Sequence, residues 1–150
     1  MNTLLYPPSI DWELTSICNH NCIHCYNFWR GLNVEEHEVQ KQDYFDSVAK
    51  KIIASNPVSV QITGGEPLVR KKDLIKLCEK HSDCEFLSFT NGTLIDEEFC
   101  KEMLRVKNFV PAISLEGFEE ANDSRRGKGI YEKVKNAMKL LKAHKLPFGI

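Results

Sequence analysis

Val58-Ser59-Val60-Gln61-Ile62 runs directly into Thr63-Gly64-Gly65-Glu66-Pro67. The first five residues are rich in β-branched side chains and follow Pro57, so they read as a strand. The last five break the pattern with two glycines and a proline, so they read as a loop leaving the end of that strand. The same order recurs along the chain. Ile10 to Thr15 is a strand candidate that leads into Cys18-Asn19-His20-Asn21-Cys22-Ile23-His24-Cys25. Glu85 to Thr90, with Phe86, Leu87 and Phe89, leads into Thr90-Asn91-Gly92-Thr93, and Phe109 to Leu115, with Val110 and Ile113, leads into Ser114-Leu115-Glu116-Gly117. Pro147-Phe148-Gly149-Ile150 reads as the start of a fifth strand.

Segments of helical period fill the gaps. Tyr44, Val48 and Ile52 recur at i, i+4, i+8, with Phe45 and Ile53 widening the stripe. Leu74, Leu77 and Cys78 mark a shorter helix. Asp96 is a good N-cap for the helix carrying Phe99, Met103 and Val106. Val134, Ala137, Met138 and Leu141 form the buried stripe of another, with Lys133, Lys135, Lys139 and Lys142 mainly toward water. Strand alternating with helix predicts an α/β fold with βαβ units and a parallel sheet. In a parallel barrel or sheet the C-terminal strand ends share one rim, where active sites are built. Four unusual segments are therefore expected on one rim.

Composition narrows the class. The chain has 150 residues, 42% hydrophobic and 27% charged, with a formal net charge of -1. That is enough for one domain with a real core, and it carries no polybasic signal for nucleic acid. No secretory signal and no apolar run of membrane-spanning length is visible, which predicts a cytoplasmic protein that does not bind membrane. Its six cysteines are then expected as thiols. Cys78, Cys84 and Cys100 stand alone and read as small buried hydrophobes.

Cys18, Cys22 and Cys25 are different. The CxxxCxxC spacing puts three soft ligands on one short loop and leaves a coordination position open. A Cys3His zinc site using His20 or His24 and a redox Cys22-Ile23-His24-Cys25 pair are the alternatives. Gly64-Gly65 would let a ligand approach bare backbone. Arg125-Arg126-Gly127 reads as a surface loop or as a clamp for a carboxylate or phosphate. The long stretch from Tyr26 to Gln40, with Phe28, Trp29 and Arg30, reads as a loop packed over the mouth of the site or lining it.

Taken together, these segments resemble the radical S-adenosylmethionine (radical SAM) superfamily, over nearly the whole chain from Ile10 to the last helix. The CxxxCxxC run, Gly64-Gly65-Glu66-Pro67 and Thr90-Asn91-Gly92 match its motifs. Ser114-Leu115-Glu116-Gly117, followed by Arg125-Arg126-Gly127 and a helix, resembles the branch that often carries a SPASM or twitch extension and often modifies peptides or proteins. Glu116 stands where that branch more often has Asp. The resemblance implies an incomplete parallel (β/α) barrel of about four βα units plus the start of a fifth strand. Residues 1–150 would be the N-terminal part of the radical SAM core, truncated relative to a family barrel of six βα units.

The resemblance also implies roles. Cys18, Cys22 and Cys25 would each ligate one iron of a [4Fe-4S] cluster. S-adenosylmethionine (SAM) would bind the fourth iron. The Gly64-Gly65-Glu66 segment would receive its amino group, largely through backbone carbonyls. Ser114 would sit near the ribose and His24 near the adenine. Arg126 would pair with the carboxylate, with Arg125 as a substitute. An electron donor such as flavodoxin or ferredoxin would reduce the cluster. SAM would be cleaved to methionine and a 5′-deoxyadenosyl radical, which takes hydrogen from a peptide or protein. A small-molecule substrate of cofactor biosynthesis, or an inert cluster-binding fragment, are the alternatives.

Overall fold

The computed structural model describes residues 9–26 and 42–150. Its centre is a four-stranded sheet of β1 (Ser9–Thr15), β2 (Ser59–Gly64), β3 (Glu85–Thr90) and β4 (Phe109–Ile113). The strands lie in chain order and every neighbouring pair is parallel. Helices α1 (Gln42–Ala54), α2 (Lys71–Lys80), α3 (Glu97–Val106), α4 (Glu119–Arg126) and α5 (Ile130–Ala143) are interspersed with them, and a 3₁₀ turn, Pro67–Arg70, precedes α2.

Alternation along the strands decides which face the helices cover. Trp12 and Leu14, Val60 and Ile62, Phe86, and Phe109 and Ile113 are buried on one face and join a single core with Phe45, Leu74, Leu77, Phe99, Met103, Val134 and Leu141 from the helices. Cys78, Cys84 and Cys100 belong to that core as free thiols. Burial pushes the Cys78 thiol up to about 12.

The sheet's far edge continues as expected. Ala112 bridges Gly149 in parallel, with Ile113 N–H donating to Gly149 O at 2.9 Å and Gly149 N–H to Pro111 O at 2.9 Å. Because Pro111 turns its carbonyl toward Gly149, its missing N–H also lies on that side and costs no bond to β3.

Local sequence explains the helix starts. Asp96 caps α3, accepting from Phe99 N–H at 2.8 Å. Helix α4 was not signalled by periodicity, since Asn122 is its only buried residue. β2 runs two residues further than its β-branched stretch, through Gly64, and β4 stops at Ile113 rather than Leu115. Among the described residues no helix is long and apolar enough to cross a membrane. The stretch after Tyr26, including Phe28, Trp29 and Arg30, lies outside the described residues.

Candidate functional site

All four strands point the same way, so their C-terminal ends form one rim, and a cleft of about 350 Å³ opens there. Its walls are the cysteine loop (Cys18, His20, Cys22, His24, Cys25, Tyr26), the end of β2 (Thr63 to Glu66), the end of β3 (Phe89, Thr90, Asn91), Ser114 and Arg126. Every residue expected to hold iron or SAM lines this one cleft. The volume lies in the range of small-ligand sites.

The glycines also have a structural task that the sequence reading does not include. A Cβ on Gly64 would lie 2.2 Å from Thr15 O, and one on Gly65 would lie 2.1 Å from Ile17 O. The close approach at these positions is that of the chain's own backbone, just ahead of Cys18. Gly65 N–H donates to Thr15 O at 2.6 Å and Glu66 N–H to Ile17 O at 2.7 Å. The two glycines are thus the seat on which the cysteine loop rests. They still border the cleft through their backbone.

Glu66 is buried, 1% exposed, with no cation bonded to its carboxylate among the described residues. Its Oε1 accepts from Leu68 N–H at 3.0 Å and Thr90 Oγ1–H at 2.6 Å, and its Oε2 from Asn91 N–H at 2.7 Å. Desolvation raises its pKa, while those three bonds and the Arg126 charge pull the other way. The side chain therefore braces β2 to β3, caps the 3₁₀ turn, and leaves the backbone of the segment to face the cleft.

Across the cleft, Glu116 gathers the cations. Its Oε1 accepts from Arg126 Nη2 at 2.6 Å and Nε at 3.2 Å, and lies 3.4 Å from His24 Nε2. Its Oε2 accepts from Arg125 Nη1 at 3.0 Å. The Arg126 hydrogen bonds hold the Glu116 carboxyl below its usual range. Asn122, fully buried, accepts from Glu116 N–H at 3.2 Å and keeps that residue in place. The Arg125–Arg126 pair is therefore the last turn of α4. Arg126 borders the cleft while Arg125, 56% exposed, holds the other carboxylate oxygen and lies outside it. A ligand carboxylate reaching Arg126 would share the guanidinium with Glu116. Ile23 N–H donates to Arg125 O at 3.0 Å, so the cysteine loop also leans on α4.

The three thiols share one wall of the cleft. Cys18, Cys22 and Cys25 are free and border one volume. Burial raises the pKa of Cys18 and of Cys22, so a positive metal centre is what would favour their thiolates.

Phe89 was read from sequence only as a strand residue, and Thr63 only as part of the loop after β2. Thr63 and Phe89 alternate with buried Ile62 and Ser88, so strand period alone would have placed them on the open face. Phe89 is 47% exposed, a large apolar side chain presented to the cleft.

Known proteins resemble this chain in sequence and in fold. The Radical SAM superfamily profile matches residues 12–150. Fe-coproporphyrin III synthase of Methanosarcina barkeri is 33% identical over 128 residues, 83% of this chain and 31% of that protein. Mycofactocin maturase MftC of Mycolicibacterium smegmatis is 31% identical over 90% of this chain and 34% of its own length. The solved structure of native anSMEcpe with bound AdoMet and Cp18Cys peptide superposes with a TM-score of 0.73 at 26% identity, covering 95% of this chain and 42% of that one. The chain spans 31% to 50% of the length of the first curated relatives it matches. With the family profile covering nearly the whole sequence and the fold shared with that solved structure, this chain belongs to the radical SAM superfamily.

Proposed function

We propose that residues 1–150 are the N-terminal part of a radical SAM enzyme core, and that the rim cleft holds a [4Fe-4S] cluster and SAM. The observation that carries this reading is the convergence of three free thiols, the Gly64–Glu66 backbone, Ser114 and Arg126 on one cleft. Cys18, Cys22 and Cys25 would hold the cluster. Gly64, Gly65 and Glu66 would receive the SAM amino group along their backbone, and Arg126 would meet its carboxylate. Ser114 would lie by the ribose and His24 by the adenine.

When bound, the reduced cluster and SAM supply methionine and a 5′-deoxyadenosyl radical through one-electron cleavage of a carbon–sulfur bond, and the radical abstracts hydrogen from the substrate. The electron comes from an external donor such as flavodoxin or ferredoxin. The chain's own part is positional. Gly64 and Gly65 seat the cysteine loop, Glu66 braces β2 against β3, and Glu116 orients Arg126. Phe89 presents an apolar wall that helps keep water from the cleft.

The substrate we propose is a peptide or protein. The likeness to a structure that carries a bound peptide supports it. A second reading, a small-molecule substrate of cofactor synthesis, is supported by the relative named Fe-coproporphyrin III synthase.

The test is anaerobic reconstitution of the chain with iron and sulfide, then addition of SAM and dithionite. Formation of 5′-deoxyadenosine is expected. A fully reduced cluster that forms none in the presence of SAM would instead make this chain an inert iron–sulfur unit.

A further inference from the structure

Asn91 and Thr93, in the turn that leaves β3, take no part in the proposed binding of cluster and SAM. Their hydrogen bonds can be followed proton by proton. Thr93 N–H donates to Asn91 Oδ1 at 3.0 Å, which fixes the oxygen end of that amide. Asn91 Nδ2 therefore faces the other way and donates to Asn19 Oδ1 at 2.8 Å. Asn19 must then turn its own Nδ2 outward, and this donates to Thr93 Oγ1 at 3.1 Å. The one hydroxyl proton of Thr93 goes to Asn91 Oδ1 at 2.8 Å. Three side chains close a ring of three hydrogen bonds, each side chain donating once and accepting once within it. His20 Nε2 lies 3.1 Å from the same hydroxyl oxygen.

The ring joins a firm partner to a loop. Asn91 is 7% exposed and its backbone N–H is held by buried Glu66. Asn19 is exposed, follows Cys18 directly, and is separated from Asn91 by 72 positions in sequence. His20, next along, is tied to the same hydroxyl. The β3 turn is the fixed end, and the segment from Cys18 toward Cys22 is the end being held.

We propose that Asn91 and Thr93 are positioning residues that latch the Cys18–Cys22 segment to the end of β3 and so set the angle at which its thiols face the cleft. The consequence for a cluster rests on the function proposed above. The latch itself belongs to the cluster-free chain, which keeps the two ideas separable.

The test uses the full chain and three variants. Asn19→Ala removes the loop half of the ring and leaves the Asn91–Thr93 turn intact. Thr93→Val removes the hydroxyl, and Thr93→Ser keeps it. Amide hydrogen exchange of residues 16–25 is measured first, in the cluster-free state. Two side-chain bonds lost, each worth about fivefold, predict about 25-fold faster exchange in Asn19→Ala. Thr93→Val should accelerate likewise and Thr93→Ser should match the parent. After reconstitution, the electron paramagnetic resonance (EPR) spectrum of the reduced cluster should differ from the parent in Asn19→Ala and Thr93→Val and coincide with it in Thr93→Ser.

Unchanged exchange in both disruptive variants overturns the latch. Faster exchange with an unaltered spectrum overturns the positioning role. A parent that takes up no iron, with exchange still accelerated in the variants, upholds the latch and refutes the cluster assignment instead.

Discussion

Replacing Gly65 with alanine should disable the site by pushing its own backbone apart. The new Cβ would lie 2.1 Å from Ile17 O, 2.5 Å from Ile17 C and 2.7 Å from Ser16 O. Ordinary non-bonded contact lies near 3.5 Å, so the Ile17 carbonyl must retreat by more than about 1 Å. That retreat pulls on two backbone bonds, Gly65 N–H to Thr15 O and Glu66 N–H to Ile17 O. Overpacking of this kind costs about 1–3 kcal/mol, and each bond lost adds about 1 kcal/mol. The sum is about 3–5 kcal/mol, a large part of a typical domain's stability. Because the displaced atoms lead directly into Cys18, iron retention should fall with stability. Gly149→Ala is the control, since its Cβ would meet Ala112 Cβ at an ordinary 3.6 Å, and a change within about 0.5 kcal/mol is expected. Urea denaturation and iron content after anaerobic reconstitution give the two readouts. If Gly65→Ala unfolds at the parent's midpoint and binds the parent's iron, the seat described here is not what holds the cysteine loop.

Three further outcomes follow from the same geometry. Thr90→Val removes the hydroxyl that donates to Glu66 at 2.6 Å and accepts from Gly92 N–H at 3.0 Å, and should cost about 1–3 kcal/mol in urea melts. Glu116 has a folded pKa depressed below 4.5, so its contribution is present above that value and is lost as pH falls through the folded pKa. The stability gap between parent and Glu116→Gln should accordingly shrink as melts are taken to pH below 4.5. Arg126→Met should weaken SAM binding to the reconstituted chain by about tenfold or more, the loss of one charge-assisted contact, as read by calorimetry.

The sheet was legible because its strands carry their own punctuation. Each β-branched or aromatic run ends in a residue group that cannot continue it, such as Gly64-Gly65 or Asn91-Gly92. Parallel order then places those groups on one rim without knowledge of any contact. The cysteine loop was legible from spacing alone. Helix α4 was hidden because a helix that buries only Asn122 leaves no apolar stripe to count. The packing of Gly64 and Gly65 against the chain's own Thr15–Ile17 was not legible, because sequence shows that something comes close, and not what. The pairing of Arg126 with Glu116 was invisible because the two are brought together by the loop between β4 and α4 rather than by helical spacing. The Glu66 brace and the Asn19–Asn91–Thr93 ring join segments far apart in sequence, which no local pattern reports.

The most direct measurement compares the parent chain with Cys22→Ala after anaerobic reconstitution, by metal analysis and EPR with and without SAM. The parent should hold about four iron atoms per chain, with a reduced-cluster spectrum that changes when SAM is added, and Cys22→Ala should retain no stable cluster. Zinc in place of iron in the parent, or an iron content and spectrum untouched by the loss of Cys22, would contradict the assignment of the rim cleft to a cluster and SAM.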